Sequence, residues 1–146
     1  MYKMKWFFFS LLLFSCTKDS TQIVQMTMWG GDAMINRYMN EYVIPQLKNQ
    51  HQIDLKISYG QGNDIVRQIS TEKIAGKKKG SADLVWINGE TFFQLRQIEG
   101  LQGPWVNELS NASHLNLDNP FIHTDFQQPI QGMECPWGTV QFAFIY

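Results

Sequence analysis

Three times along this chain, a strand-like stretch runs into a glycine turn and then into apolar residues at helical spacing. Residues 23–29 (IVQMTMW) meet Gly30-Gly31. In residues 53–59, Ile53, Leu55, Ile57 and Tyr59 alternate with polar neighbours and meet Gly60-Gln61-Gly62. Residues 82–87 (ADLVWI) meet Asn88-Gly89. After the first turn, Asp32 stands where a helix N-cap belongs, and Ile35, Tyr38, Met39, Tyr42 and Val43 mark one helical face. Pro45 is predicted to end or kink that helix. The second helix, capped by Asn63 or Asp64, turns Ile65, Ile69 and the Lys73 stem inward; the third does so with Phe92, Leu95 and the Arg96 stem. The order β-α-β-α-β-α with short connections predicts an α/β fold, a mostly parallel sheet flanked by helices. Ligands of such sheets bind outside the carboxyl ends of the strands. Here those ends are the turns at residues 29–32, 59–63 and 88–90.

A chain of 146 residues with 44% hydrophobic and 14% aromatic content holds enough apolar surface for a core. Its formal charge of −1 gives no nucleic-acid footprint, and the basic run Lys77-Lys78-Lys79 between glycines reads as a solvated loop. Residues 1–15 form a separate object. Lys3 and Lys5 precede an uncharged apolar run too short to span a bilayer, as in a secretory signal peptide. Leu13-Phe14-Ser15-Cys16 resembles the bacterial lipobox, which implies lipidation of Cys16 and an exported protein anchored to a membrane on its periplasmic or cell-surface side. Residues 16–24 then read as the lipidated cysteine and a polar tether, and residues 25–146 as the folded part. Lipidation leaves Cys135 as a lone thiol, so no disulfide framework is expected. His51, His114 and His123 lack metal-site spacing, and no cofactor is called for. From residue 136 the chain enters another apolar strand and stops within it, which leads us to expect an incomplete protein.

The candidate ligand residues lie on the three turns, and each has a purely structural reading beside the functional one. Trp29 is either core or an indole wall, with Gly30, Gly31 and the helix start at Asp32 offering backbone amides to an anionic group. Tyr59 and Gln61 suit stacking on and hydrogen bonding to a solute. The Gly60-x-Gly62 pair is no dinucleotide fingerprint, because Ile65 stands where the third glycine belongs. Asn88 is a good N-cap, Gly89 follows it, and Glu90 in the first turn suits the helix dipole. A carboxylate near indoles also suits a cationic solute. Trp86 alternates with Val85 and Ile87 and reads as core; Trp137 reads equally as packing or as a cleft residue.

The lipobox, the β-α-β-α-β opening, ADLVWING (residues 82–89) and PWGTVQFAFIY (residues 136–146) together resemble the extracellular solute-binding proteins of bacterial ABC transporters, of the type II periplasmic-binding-protein-like kind. The similarity is greatest to a group with WGG at residues 29–31 in the first turn and DLVWINGE at residues 83–90 in the third; WINGE (residues 86–90) is the specific part, whereas ADLV is common in the wider family. It implies a two-lobed, monomeric protein that captures a small solute in an interlobe cleft and delivers it to ABC permease subunits, without catalysis. The present chain would be the first lobe running into the hinge strand at residues 138–146, with the second lobe missing. Glu90, Asp32 and the tryptophans lean toward an organic cation such as a polyamine or a thiamine-like molecule, while the glycine-rich helix starts leave an anion or a sugar open. Two other readings are a secreted α/β hydrolase, although the turns offer Asp32, Gln61 and Glu90 rather than a serine elbow, and a lipoprotein ligand sensor.

Overall fold

The computed structural model describes residues 21–138. The leader, the lipidation candidate Cys16 and the strand expected over residues 139–146 lie outside the described residues. Strand β1 (Gln22–Met28) pairs in parallel with β2 (Ile53–Tyr59) on one side and β3 (Leu84–Trp86) on the other, in the order β2-β1-β3. β1 thus starts inside the stretch read as tether.

Side-chain alternation along β1 sorts the helices onto two faces. Met28 and Leu55 meet Met39, and Val24, Met26, Ile57 and Trp86 pack round them together with Ile35, Val43, Ile44 and Leu47. The covering helix runs as α1 (Ala33–Tyr38), a π-helical turn at Met39–Val43, and α2 (Ile44–His51). Pro45 was expected to end or kink this helix. Instead it occupies the first turn of α2, because the π turn lets Ile44 N–H reach back to Met39 O and re-registers the ladder where proline has no N–H to give. The helix ends at Gln52, in left-handed conformation.

The opposite face carries Thr27, which approaches Ile65 of α3 (Gly62–Ile74) at Gly60. Helix α3 begins two residues earlier than a cap at Asn63 would place it, and three earlier than one at Asp64. Gln61 is its N-cap residue without a side-chain cap bond, and Asp64 pairs instead with Arg67 at 2.7 Å. Lys73 Nζ donates to the carbonyls of Ile98 and Glu99, tying α3 to the end of α4 (Gly89–Gln97). β3 is shorter than residues 82–87. Asp83 uses its side chain as a rung: Gln25 N donates to Asp83 Oδ2 at 2.8 Å while Asp83 N donates to Gln25 O.

Phe92 and Leu95 of α4 are fully buried, as their spacing predicted. Beyond Gly100 the chain wraps back over α4 through short 3-10 turns and a hairpin, β4 (Thr124–Asp125) with β5 (Gln128–Pro129). Arg96 anchors the wrap: its guanidinium lies over the Phe92 ring, 5.8 Å from the centroid, and donates to Pro129 O at 2.6 Å and Gln131 Oε1 at 2.8 Å. Trp105 Nε1 donates to Met133 O, fastening the segment that leads to residues 134–138. No helix among the described residues is long and apolar enough to cross a membrane. Burial at Phe92 is complete, so Phe92→Ala should cost about 3–5 kcal/mol in urea unfolding, while Ile74→Ala, on an exposed side chain, should stay within about 0.5 kcal/mol.

Candidate functional site

The register of the sheet makes its carboxyl edge level. Met28 pairs with Tyr59 on one side and with Trp86 on the other, so all three turns leave the sheet at one height. The chain passes from β1 outward to β2 and then back across β1 to β3. The gap between β1 and β3 is therefore a topological switch point, where α/β sheets open a crevice.

The first two turns touch. Tyr59 lies against Gly30, where a Cβ would stand 2.8 Å from its ring, and the Trp29 indole folds over Gly31 so closely that no side chain fits there. Asn36 Nδ2 donates to Gly30 O at 2.8 Å, and Asn40 Nδ2 donates to Tyr59 Oη at 3.0 Å, so the helix on that face holds both turns. Trp29 and Tyr59 are nevertheless 49% and 50% exposed. They are neither core residues nor free loop residues, but rings packed on glycine backbone with one face to solvent. Gln61 is exposed beside them.

The helix starts are already occupied. Asp32 Oδ1 accepts from Met34 N at 2.7 Å and from Ile35 N at 2.9 Å, so the amides that were candidates for an anionic group receive this carboxylate. Asn88 Oδ1 accepts from Thr91 N at 3.0 Å and Thr91 Oγ1 at 2.8 Å, a cap at the start of α4. Gly89 is buried, and the β4–β5 hairpin lies on it with Asp125 and Phe126 against its Cα. Glu90 is exposed and accepts from Gln94 Nε2 at 3.3 Å.

Trp137 joins a row of rings that sequence reasoning missed. Its ring centroid lies 4.5 Å from that of Trp86 and 6.3 Å from Tyr38, which stacks on Tyr42 at 5.4 Å. Tyr38 and Tyr42 had been assigned to the buried face, yet both are exposed. They line an open depression of about 260 Å³ with Met34, Arg37 and Glu41. Trp86 is half-buried, core on one side and ring partner on the other. Contiguous exposed apolar surface of this kind marks a contact region more often than a chance scatter of side chains does.

Sequence reasoning also missed Asp125 and Glu134. Burial, and then the neighbouring Asp125 carboxylate, push Glu134 up to about 7. Its Oε2 is shielded from solvent and has no hydrogen-bond partner. The one signal in the sequence is Glu134's place among Met133, Cys135 and Pro136, where a solvated acid is out of character. Among the described residues, no group of three or more His, Cys, Asp or Glu is arranged to hold a metal ion.

No family model matches the chain, and no solved structure matches it. It is similar to Protein YnjB of Escherichia coli (strain K12), with 41% identity over 126 residues that cover 85% of this chain and 32% of that protein. The chain thus spans about a third of the length of this relative.

At the third turn the helix cap and the solvent-facing carboxylate are different residues, Asn88 and Glu90. Asn88→Ala should lower stability by roughly 1 kcal/mol through loss of the cap, and Glu90→Gln by no more than about 0.3–1 kcal/mol through the helix dipole, both read by chemical denaturation. A larger loss at Glu90 would show a structural role that its single bond to Gln94 does not account for.

Proposed function

We propose that this chain is the first lobe of the substrate-binding component of a bacterial ABC importer, a lipid-anchored protein that captures a small solute between two lobes and delivers it to a membrane permease. The observation that carries this reading is the level carboxyl edge of the sheet, where three strand ends each lead into a glycine-containing turn and the half-exposed rings of Trp29 and Tyr59 pack on Gly30-Gly31. Solute sites combine aromatic walls with a few placed polar groups, and this edge offers those rings together with Gln61, Glu90 and the exposed Trp137. Binding there needs no chemistry from the protein, and closure would be a hinge motion between lobes.

The solute class we favour is an organic cation, such as a polyamine or a thiamine-like molecule. Two facts support it. The helix starts that would attract an anion are filled by Asp32 and capped by Asn88. The rings with open faces offer cation–π contact, and Glu90 supplies a solvent-facing carboxylate at the same edge. The hydrolase reading draws on one observation, the Asp125–Glu134 pair, because a carboxyl group that titrates near 7 suits general acid–base work. A hydrolase would consume its ligand, whereas a binding protein returns it unchanged.

Thermal-shift screening of the intact protein against amines, quaternary ammonium compounds, sugars and organic anions tests the proposal. The expected result is stabilisation by a member of the cationic set, with the solute recovered intact. Trp29→Ala and Trp137→Ala should each weaken that solute at least about tenfold, in line with the roughly 0.5–2 kcal/mol of a cation–π contact plus lost ring area. If Glu90→Gln leaves the affinity for every stabilising solute unchanged, the cation argument fails.

A further inference from the structure

The direction of hydrogen bonding at Tyr59 is fixed by Asn40, in the π-helical turn. Asn40 Nδ2 donates to Asn36 O at 2.7 Å and to Tyr59 Oη at 3.0 Å. Asn36 O is a main-chain carbonyl and only accepts, so the end of the Asn40 amide that faces it is the nitrogen. That nitrogen carries two hydrogens, one for the carbonyl and one for the phenol. Tyr59 Oη therefore accepts, and a phenol that accepts keeps its own proton to give. Among the described residues, no group takes that proton; the bond from Asn40 is the one that Tyr59 Oη makes.

The donor left over is open to solvent. Tyr59 ends β2 at the carboxyl edge, its ring lies against Gly30, and half of it is exposed, the bond to Asn40 included. Accepting from Asn40 also polarises the hydroxyl, which makes it a stronger donor. The neighbouring turn shows the contrast. Asn36 Nδ2 donates to Gly30 O at 2.8 Å, which fixes that amide by the same reasoning, and Asn36 Oδ1 is buried with no partner among the described residues. Being enclosed, that acceptor is out of a solute's reach. The acid of the same turn, Asp32, is taken up by the amides of Met34 and Ile35.

We infer that Tyr59 Oη is a specificity-determining donor of the candidate site, oriented by Asn40, and that the solute is an organic cation which also carries a hydrogen-bond acceptor. The solute class rests on the importer reading; the free phenol proton does not. Charge and ring contact treat all organic cations alike, whereas one directed donor separates those with an acceptor from those without. A fully protonated polyamine offers donors alone and leaves the phenol proton unused. A thiamine-like cation, with ring-nitrogen and hydroxyl acceptors, uses it. Asn40 is a positioning residue, because it acts through Tyr59 by setting which way the phenol bonds.

The test is isothermal titration of the intact protein with pentyltrimethylammonium and with its analogues that carry a ketone at the third or fourth carbon. These probes share charge and length and differ by one acceptor. For at least one ketone, the affinity ratio of ketone to alkyl probe should fall roughly three- to tenfold from wild type to Tyr59→Phe, the range of one net hydrogen bond. Asn40→Asp should lower the ratio as well, because a carboxylate only accepts and takes the phenol proton for itself. Asn40→Gln, which keeps the amide, should retain more of the preference than Asn40→Asp. In the solute-free protein, the ring Cζ carbon resonance of Tyr59 should move toward the phenolate position in Asn40→Asp, a change that mere loosening of the turn does not produce. Probes that bind with the same ratio in wild type and Tyr59→Phe would overturn the inference and leave the importer reading standing. If no cation of the set binds, the cation reading fails and the solute class falls with it. The Tyr59 resonance then still decides the donor: an unmoved resonance in folded Asn40→Asp overturns it.

Discussion

Everything at the candidate site depends on the double pairing of β1. One seven-residue strand carries a parallel neighbour on each side, and its last residue, Met28, is in register with the ends of both. A parallel ladder cannot be closed by a tight turn, so each strand must be followed by a helix that crosses back over a face. That requirement sends the helix after β1 to one face and α3 to the other. It also gathers the three strand-to-helix turns along a single edge. Slip β3 by one residue and Trp86 would leave the cluster of Met28, Met39 and Leu55 for the opposite face.

The glycines at this edge serve proximity more than flexibility. Gly30 admits the Tyr59 ring, Gly31 admits the Trp29 indole, Gly62 admits Thr91 of α4, and Gly89 admits the hairpin. Each is a point where two elements meet closer than a side chain allows. The rings of Trp29 and Tyr59 are consequently held by backbone on one face and remain open on the other. A ring held in place loses little freedom when a ligand stacks on it, which is how preorganised sites gain affinity.

Much of the fold was legible because its periods are clean. Alternation at Ile53, Leu55, Ile57 and Tyr59 and helical spacing at Phe92 and Leu95 leave little choice of element or face, and the structure agrees with both. The helix through Pro45 was not legible, because a π turn depends on ladder bonding that residue types do not reveal. Tyr38 and Tyr42 misled for another reason. Their spacing is that of a buried stripe, but among the described residues nothing covers them, and periodicity reports which face a residue shares rather than whether that face is covered. The caps at Asp32 and Asn88 were foreseeable from residue type, and their occupancy narrows the ligand chemistry that those turns support. Asp125 and Glu134 lie far from the repeated strand–turn–helix units, in a segment with no periodicity at all. Only the return of the chain over α4, anchored by Arg96 and Trp105, brings Asp125 beside Gly89 and Glu134 near Asp125.

The central claim is that the carboxyl edge of the β2-β1-β3 sheet is the ligand-facing edge. Backbone amide chemical shifts of the isotopically labelled intact protein, followed as a stabilising solute is titrated in, test it most directly. The account predicts that the largest perturbations fall on residues 29–32, 59–62 and 88–90 and on the Trp137 indole N–H. Perturbations confined to the opposite edge, around residues 50–54 and 80–83, would contradict it.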